Sequence, residues 1–428
     1  MVRLPPMLMA LPLLLAGCNE PSQKAPAPAF DDSKLPEVAE TIALKLSPAA
    51  QQQVAAYNAM ALRLYAEAAK REGNVFLSPA SIGAALGMAQ AGAGPGSAGE
   101  FAALLGNSGG AAASAAQGEL LKGTSFEARG RVLKVRSSLW LDQSTNLRPG
   151  FAETIKRDWN AAIEQADFQG DTQGARDAIN QVAARDTYGR IPALLGEDDL
   201  GADTRLVLLN TVYFRAPWSS PFEPEATHPA PFHRPDGSDT QVQMMAQTKY
   251  SNYLETPTFQ AIKLGYDRGE TEMAVFLPKS RNGLTAFEKS LGSQSLSDWL
   301  GKLDGAADIE VDLKLPKFKI ADRLDLAPIL QALGLKTAFE PFKADFTAMA
   351  DAAPGRPLYL SKVIHQTELD VDERGTVAVA ATSLEYAAAA AEMEPPKKFI
   401  ADHPFLFVIR DRRSGLILFI GRFTGGTA

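Results

Sequence analysis

Across 428 residues the chain has one cysteine, Cys18, and only four histidines. A single thiol closes no intrachain disulfide, so stability in an oxidising compartment has to come from burial of a core. The histidines (His228, His233, His365 and His403) are scattered, without carboxylate or thiol partners at ligand spacing. That argues against a metal site, and no cofactor is expected. Positive charge is also in deficit: 43 Lys and Arg stand against 50 Asp and Glu, a net charge of −7. Nucleic-acid binding is disfavoured on that ground.

A long apolar run is missing too. The opening MVRLPPMLMALPLLLAGC carries Arg3, a short apolar stretch and small residues before Cys18. It is too short for a span of about 20 residues and reads as a signal peptide over 1–17. A cleavage site ending on cysteine resembles a bacterial lipobox, which implies lipidation of Cys18. An ordinary signal cut elsewhere is the alternative. Without Arg3 the net charge becomes −8, since residues 1–17 contain no acid. Residues 18–47, rich in Pro, Ala and charge, read as a tether without globular content.

What is present in quantity is apolar residue, 46% of the chain, ample for a large core. Residues 51–70 repeat apolar positions at helical spacing, with Val54, Met60, Leu62, Leu64 and Tyr65 on one side. The stretches TRLVLLNTVYF and TEMAVFLP read as strands, and HPFLFVIRDRRSGLILFIGRF as a hairpin turning at residues 411–415. FAETIKRDWNAA and LAPILQALGL read as helices, the second closed by Gly334. Helices and antiparallel strands without regular alternation indicate an α+β fold. Residues 92–119, rich in Gly and Ala, read as one short helix, EFAALLG, between flexible connections.

Within that stretch Gly106-Asn107-Ser108-Gly109-Gly110 mimics a nucleophile segment. The trypsin-like order puts the base histidine before the serine, whereas every histidine here follows Ser108. A hydrolase elbow needs a strand before the serine, and Ser108 follows a helical pattern. A plain loop is the better reading.

Residues 368–404 carry the strongest functional signal. ELDVDE alternates as a strand, and a long run of small and β-branched residues follows, without turn residues, as far as Pro395 and Pro396. Such a run is unusual for an ordinary loop. With period two, Thr376, Ala378, Ala380, Thr382, Leu384 and Tyr386 share one uncharged face. The segment suits entry into a sheet, with small residues leading. A disordered Ala-rich linker is the bland alternative.

DERGTVAVAAT resembles the hinge of inhibitory serpins, and FIADHPFLFVI, residues 399–409, resembles the serpin C-terminal signature. NVFLSPASIGAALGMAQAGA, LLNTVYFRAPWSSPF and LSKVIHQTELDVDERGT resemble further serpin blocks, in family order. The resemblance implies a single serpin domain over 48–428, with three mostly antiparallel sheets, eight or nine helices and an exposed reactive-centre loop at about 373–398. It implies a shutter of Ser78, Ser81, Asn210 and His365, and a breach of Trp218 and Glu373. It further implies a hinge of Glu373, Gly375, Thr376, Ala378 and Ala380. Ser78 as an N-cap with Pro79 at the first helical position accounts for both residues without any function.

The function so implied is inhibition of a serine protease. The loop is cut, an acyl-enzyme forms, and the loop inserts as a strand; the protein is then a suicide substrate and not an enzyme. Counting from the hinge places the cut between Ala389 and Ala390, while counting back from the C-terminal signature points to Glu392 or Met393. The Ala tract suits elastase-like or subtilisin-like proteases, since no Lys or Arg lies between Arg374 and Lys397. The expected partners are such a protease, held covalently, and a membrane reached through Cys18; a monomer is expected. Asn19 after Cys18 inclines the location toward the outer membrane. A non-inhibitory serpin-fold binding lipoprotein is the main rival.

Overall fold

The computed structural model describes residues 35–37, 44–376 and 395–426. Nine α-helices and three sheets make up the described residues, and only three of the strand pairings are parallel. The α+β class with mostly antiparallel sheets expected from the sequence is the one observed.

The sheet that matters most runs in the order Phe318–Asp325, Leu360–Asp372, Gly375–Thr376, Leu206–Pro217, Arg131–Asp142, Phe126–Ala128, with Ala162–Ala166 also paired to Arg131–Asp142. Its two central strands are parallel neighbours, in continuous register from Lys362 against Val207 to Glu368 against Tyr213, with a bulge between Lys362 and the preceding pair, Leu360 against Leu206. Leu206–Pro217 reads in sequence as a largely apolar run, broken by Asn210, Thr211 and Arg215, because both faces of this sheet are covered. Val207 and Leu209 join a smaller core with Ile179 and Ala183 of the helix Thr172–Asp186. Leu206, Leu208, Val212 and Phe214 join the main core on the other face. The period-two alternation thereby sends the even-numbered side chains of this strand inward, Asn210 among them.

Beneath that inner face lies the helix Pro79–Ala91, in contact with Leu206–Pro217 and Arg131–Asp142. It is buried over nearly its whole circumference, which explains its small residues. At Gly83 an added Cβ would stand 2.6 Å from the Tyr57 ring, so no side chain fits there. The C-terminal hairpin is Phe405–Asp411 paired with Ile417–Phe423, and Thr271–Pro278 lies beside its first strand.

Three expectations need correction. Residues 92–119 are not flexible connections around one short helix: they form the helix Pro95–Leu105 and most of a second, Gly110–Thr124. The second packs against three other helices, and at Gly118 a Cβ would meet the Asp158 carbonyl oxygen at 2.2 Å. Low complexity there reflects close packing. The stretch assigned to the tether is in contact with the domain near its end, for Ser47 donates from its N–H and hydroxyl to the Glu119 carboxylate, both at 2.6 Å. Further back, the Pro36 carbonyl accepts from the Arg129 N–H at 2.8 Å. Finally, two histidines do have carboxylate partners: His233 Nδ1 lies 2.7 Å from Asp239, and His403 Nδ1 lies 2.7 Å from Asp402. Even so, among the described residues no three His, Cys, Asp or Glu side chains gather to hold a metal ion. No described helix is long and apolar enough to cross a membrane.

Candidate functional site

Ser78, Ser81, Asn210 and His365 meet in one buried cluster. Ser78 caps the helix Pro79–Ala91, its hydroxyl accepting from the Ser81 N–H at 3.4 Å. The Ser78 N–H donates to His365 Nε2 at 3.0 Å, which leaves that nitrogen bare and assigns the proton to Nδ1. Nδ1–H then donates to Asn210 Oδ1 at 2.6 Å. The Ser81 hydroxyl donates to the same oxygen, and the Asn210 amide donates to the Ser81 carbonyl at 3.1 Å and to Ser137 Oγ at 2.8 Å. Asn210 is thus satisfied on every side. Burial pushes the His365 pKa down to about 3, because the cation would be desolvated and would face the Ser78 N–H as donor against donor. His365 and Asn210 are opposite residues on the two parallel central strands, so their bond ties those strands together.

A second cluster lies toward the end of the sheet where the same strands part. Gly375 sits between Asp372 and Pro217, and Thr376 between Val371 and Ala216, each paired antiparallel on both sides. Gly375 has φ +139, and a Cβ there would stand 2.4 Å from the Ala216 carbonyl oxygen, so only glycine fits. The Thr376 hydroxyl is hydrogen-bonded to the Tyr266 hydroxyl at 2.9 Å, fully buried. Trp218 stacks on Tyr266 with centroids 4.4 Å apart, and its Nε1–H donates to the Asp372 carbonyl at 3.0 Å. Glu373 accepts from Thr227 Oγ1 at 2.8 Å and from Lys317 Nζ at 2.7 Å. Burial pulls the Glu373 carboxyl upward, but these bonds outweigh it and hold the pKa below the ordinary glutamate value.

A family model for Serpin (serine protease inhibitor) matches residues 55–425. The chain belongs to the serpin family. It is 35% identical to human leukocyte elastase inhibitor over 299 residues, 68% of this chain and 77% of that protein. Human serpin B9 is 35% identical over 353 residues, 82% of this chain and 93% of that one. Among solved structures, maspin superposes with a TM-score of 0.78 at 28% identity, covering 89% of this chain and all of maspin. Native tengpin, a thermophilic serpin, has a TM-score of 0.77 at 23% identity over 92% of this chain and 98% of its own, a likeness of fold.

Of the serpin positions expected from sequence, Trp218, Glu373, Gly375 and Thr376 come together as one group, and the four shutter positions as another. Ala378, Ala380, Ala389, Ala390 and Cys18 lie outside the described residues. Sequence reasoning missed Ser137, Thr227, Tyr266 and Lys317, which carry no local motif. Ser108 lies in the connection between the helices Pro95–Leu105 and Gly110–Thr124, with no strand leading into it as a hydrolase elbow requires.

Proposed function

We propose that this serpin is an inhibitor of serine proteases that is cut in its loop, retains the protease as an acyl-enzyme and inserts the severed loop into its main sheet. The observation that carries the reading is the place of Gly375 and Thr376, already paired between the two central strands. Serpin loop insertion is a known case of strand addition with release of stored strain, and it is applied here to this chain.

The existing register says where an inserting loop would go. Continued residue by residue from Thr376 against Ala216, it brings Thr382 opposite Asn210; continued from Thr376 against Val371, it brings Thr382 opposite His365. The two countings agree, because His365 and Asn210 are now direct neighbours. Insertion therefore has to break the His365–Asn210 bond and offers the Thr382 hydroxyl in its place. One parallel ladder is exchanged for two antiparallel ones, each slightly more stable per residue. Ala378, Ala380, Thr382, Leu384 and Tyr386 would follow Thr376 onto the inner face, the small side chains first.

The same register also supports one cleavage point. Tyr386 would lie opposite Leu206, the first residue of its strand. A cut between Ala389 and Ala390 leaves a short link to the captured protease, and crushing needs a short link. A cut at Glu392 or Met393 leaves slack. Small residues at this point suit elastase-like or subtilisin-like proteases, in keeping with a relative whose name is leukocyte elastase inhibitor. The proposal includes export, lipidation at Cys18, attachment to the bacterial outer membrane, and action as a monomer.

Incubation with a panel of serine proteases tests the mechanism. The expected product is an SDS-resistant adduct, with release of a peptide beginning at Ala390 and a marked gain in heat stability of the cut chain. Clean cleavage with no adduct and no gain in stability would leave a serpin fold without inhibition. Loss of the lipid-modified mass in Cys18→Ser tests the anchor.

A further inference from the structure

The strands Asp239–Glu255, Asp308–Pro316 and Lys397–Ile400 lie side by side, the third following the loop in sequence. Their register puts Lys249, Val311 and Lys397 in one row and Gln247, Leu313 and Phe399 in the next. Val311, Leu313 and Phe399 are fully buried, so both rows belong to the face turned toward the core. Lys397 is exposed at the sheet edge, whereas Lys249 and Gln247 are half-buried. Among the described residues neither lysine has a hydrogen bond or an ion pair. Gln247 Oε1 accepts from Ser220 Oγ at 3.5 Å, but the buried Gln247 Nε2 has no acceptor. Three donor side chains thus share one face with nothing to receive them. Buried donors are ordinarily paired, so the arrangement points to an acceptor that the chain's own side chains do not supply.

We propose that Lys249 is a site of reversible carbamate formation with carbon dioxide, the carbamate oxygens accepting from the Gln247 amide and the Lys397 ammonium group. The lone pair of the neutral Lys249 nitrogen attacks the carbon of carbon dioxide. An N–C bond forms, one C=O electron pair moves onto oxygen, and a proton passes from nitrogen to water. The product reverses the charge of Lys249 and sets one acceptor between two donors. Strand spacing places Gln247 about 7 Å and Lys397 about 10 Å from Lys249 along the sheet, spans that extended side chains close. Burial pushes the Lys249 pKa down to about 8, while Asp308 opposes the shift from a distance. At pH 8 roughly half of this lysine is free amine, against less than about 1% for one of ordinary pKa. Lys134 is the instructive contrast. Burial lowers its pKa too, but Glu127 lies 3.6 Å away and the Tyr188 hydroxyl 3.1 Å away, so its amine already has acceptors. None of this depends on insertion of the loop.

Trapping tests it directly. The intact chain is equilibrated with ¹³C-labelled bicarbonate at pH 8, treated with triethyloxonium to fix carbamates as ethyl esters, and digested for mass spectrometry. The labelled ester is expected on Lys249, well above the exposed Lys289 and Lys302, and absent from that position in Lys249→Arg. Gln247→Leu should lower the labelled fraction about five-fold, the worth of one hydrogen bond, and Lys397→Ala about two-fold, as befits an exposed partner. In guanidinium chloride, where every lysine returns to solvent, the preference for Lys249 should vanish; this arm needs no variant to fold. Absence of label on Lys249, or equal label on Lys289 and Lys302, overturns the proposal. Label on Lys249 that is indifferent to both the Gln247 and the Lys397 variants overturns the assignment of those two donors.

Discussion

The main sheet is open at one point and clasped at another, along the same pair of strands. Where Asp372 and Pro217 have parted, Gly375 and Thr376 fill the space and satisfy both edges. Seven residues along, His365 and Asn210 still bond directly, and Ser78, Ser81 and Ser137 complete their hydrogen bonds. The first region shows that strand entry needs a residue without a Cβ and an uncharged follower. The second shows what resists further entry: a buried polar network centred on Asn210, whose side-chain oxygen accepts twice and whose amide donates twice, so that its loss leaves others unpaired. On the proposed mechanism, insertion starts at the first region and has its barrier at the second.

The comparison can be broken most severely from the loop itself. Ala380→Pro removes an N–H that the new ladder requires, so protease should cut the loop and depart; SDS gels should show cleaved inhibitor and no adduct. Next in size is Asn210→Ala, which strands His365 Nδ1–H and the Ser81 hydroxyl in the core. It should cost the intact chain about 3 kcal/mol, read from urea or thermal melts. The cleaved chain, where Thr382 would supply a hydroxyl, should lose less. A smaller effect is expected of Tyr266→Phe, which keeps the ring stacked on Trp218 and removes only the bond to Thr376. About 1 kcal/mol of stability should go, and Thr376→Val in the same background should add little, as a double-mutant cycle would show.

Stability should also depend on pH. His365 has its pKa lowered from 6.5 to about 3 in the folded chain. The unfolded chain therefore takes up a proton first, and stability present above about 6.5 is lost progressively as the pH falls toward 3. Glu373, also depressed, adds a loss as the pH falls through the ordinary glutamate range, near 4.5. Melting of the intact chain between pH 7 and 5 should show the first loss, and His365→Gln should remove it. A slope that survives this replacement assigns the effect to another group.

Local order in the chain made much of this legible. Ser78 before Pro79 marked a helix start, the apolar run at 206–214 a doubly covered strand, and residues 411–415 a hairpin turn, since each feature is decided by a few neighbouring residues. Gly375 before a run of small residues marked the hinge. By contrast, the partners of the hinge came from far away: Tyr266 lies 110 residues from Thr376, Lys317 56 from Glu373 and Thr227 146 from Glu373. Ser137, 73 residues from Asn210, had no motif of its own. The helix Gly110–Thr124 was illegible for a different reason, because its glycine and alanine content reports close packing against neighbours that the local sequence does not name.

Composition, spacing and the order of the blocks were sufficient to determine the α+β class, the serpin family and an uncharged set of alternate residues over 376–386. Only the folded chain decided that Thr376, the first residue of that set, and Gly375 before it are already seated between the central strands, and that His365 and Asn210 hold those strands together. Entry depends on which backbone edges are unpaired, and clasping on where a handful of polar atoms meet; both are properties of strands brought side by side from distant parts of the chain.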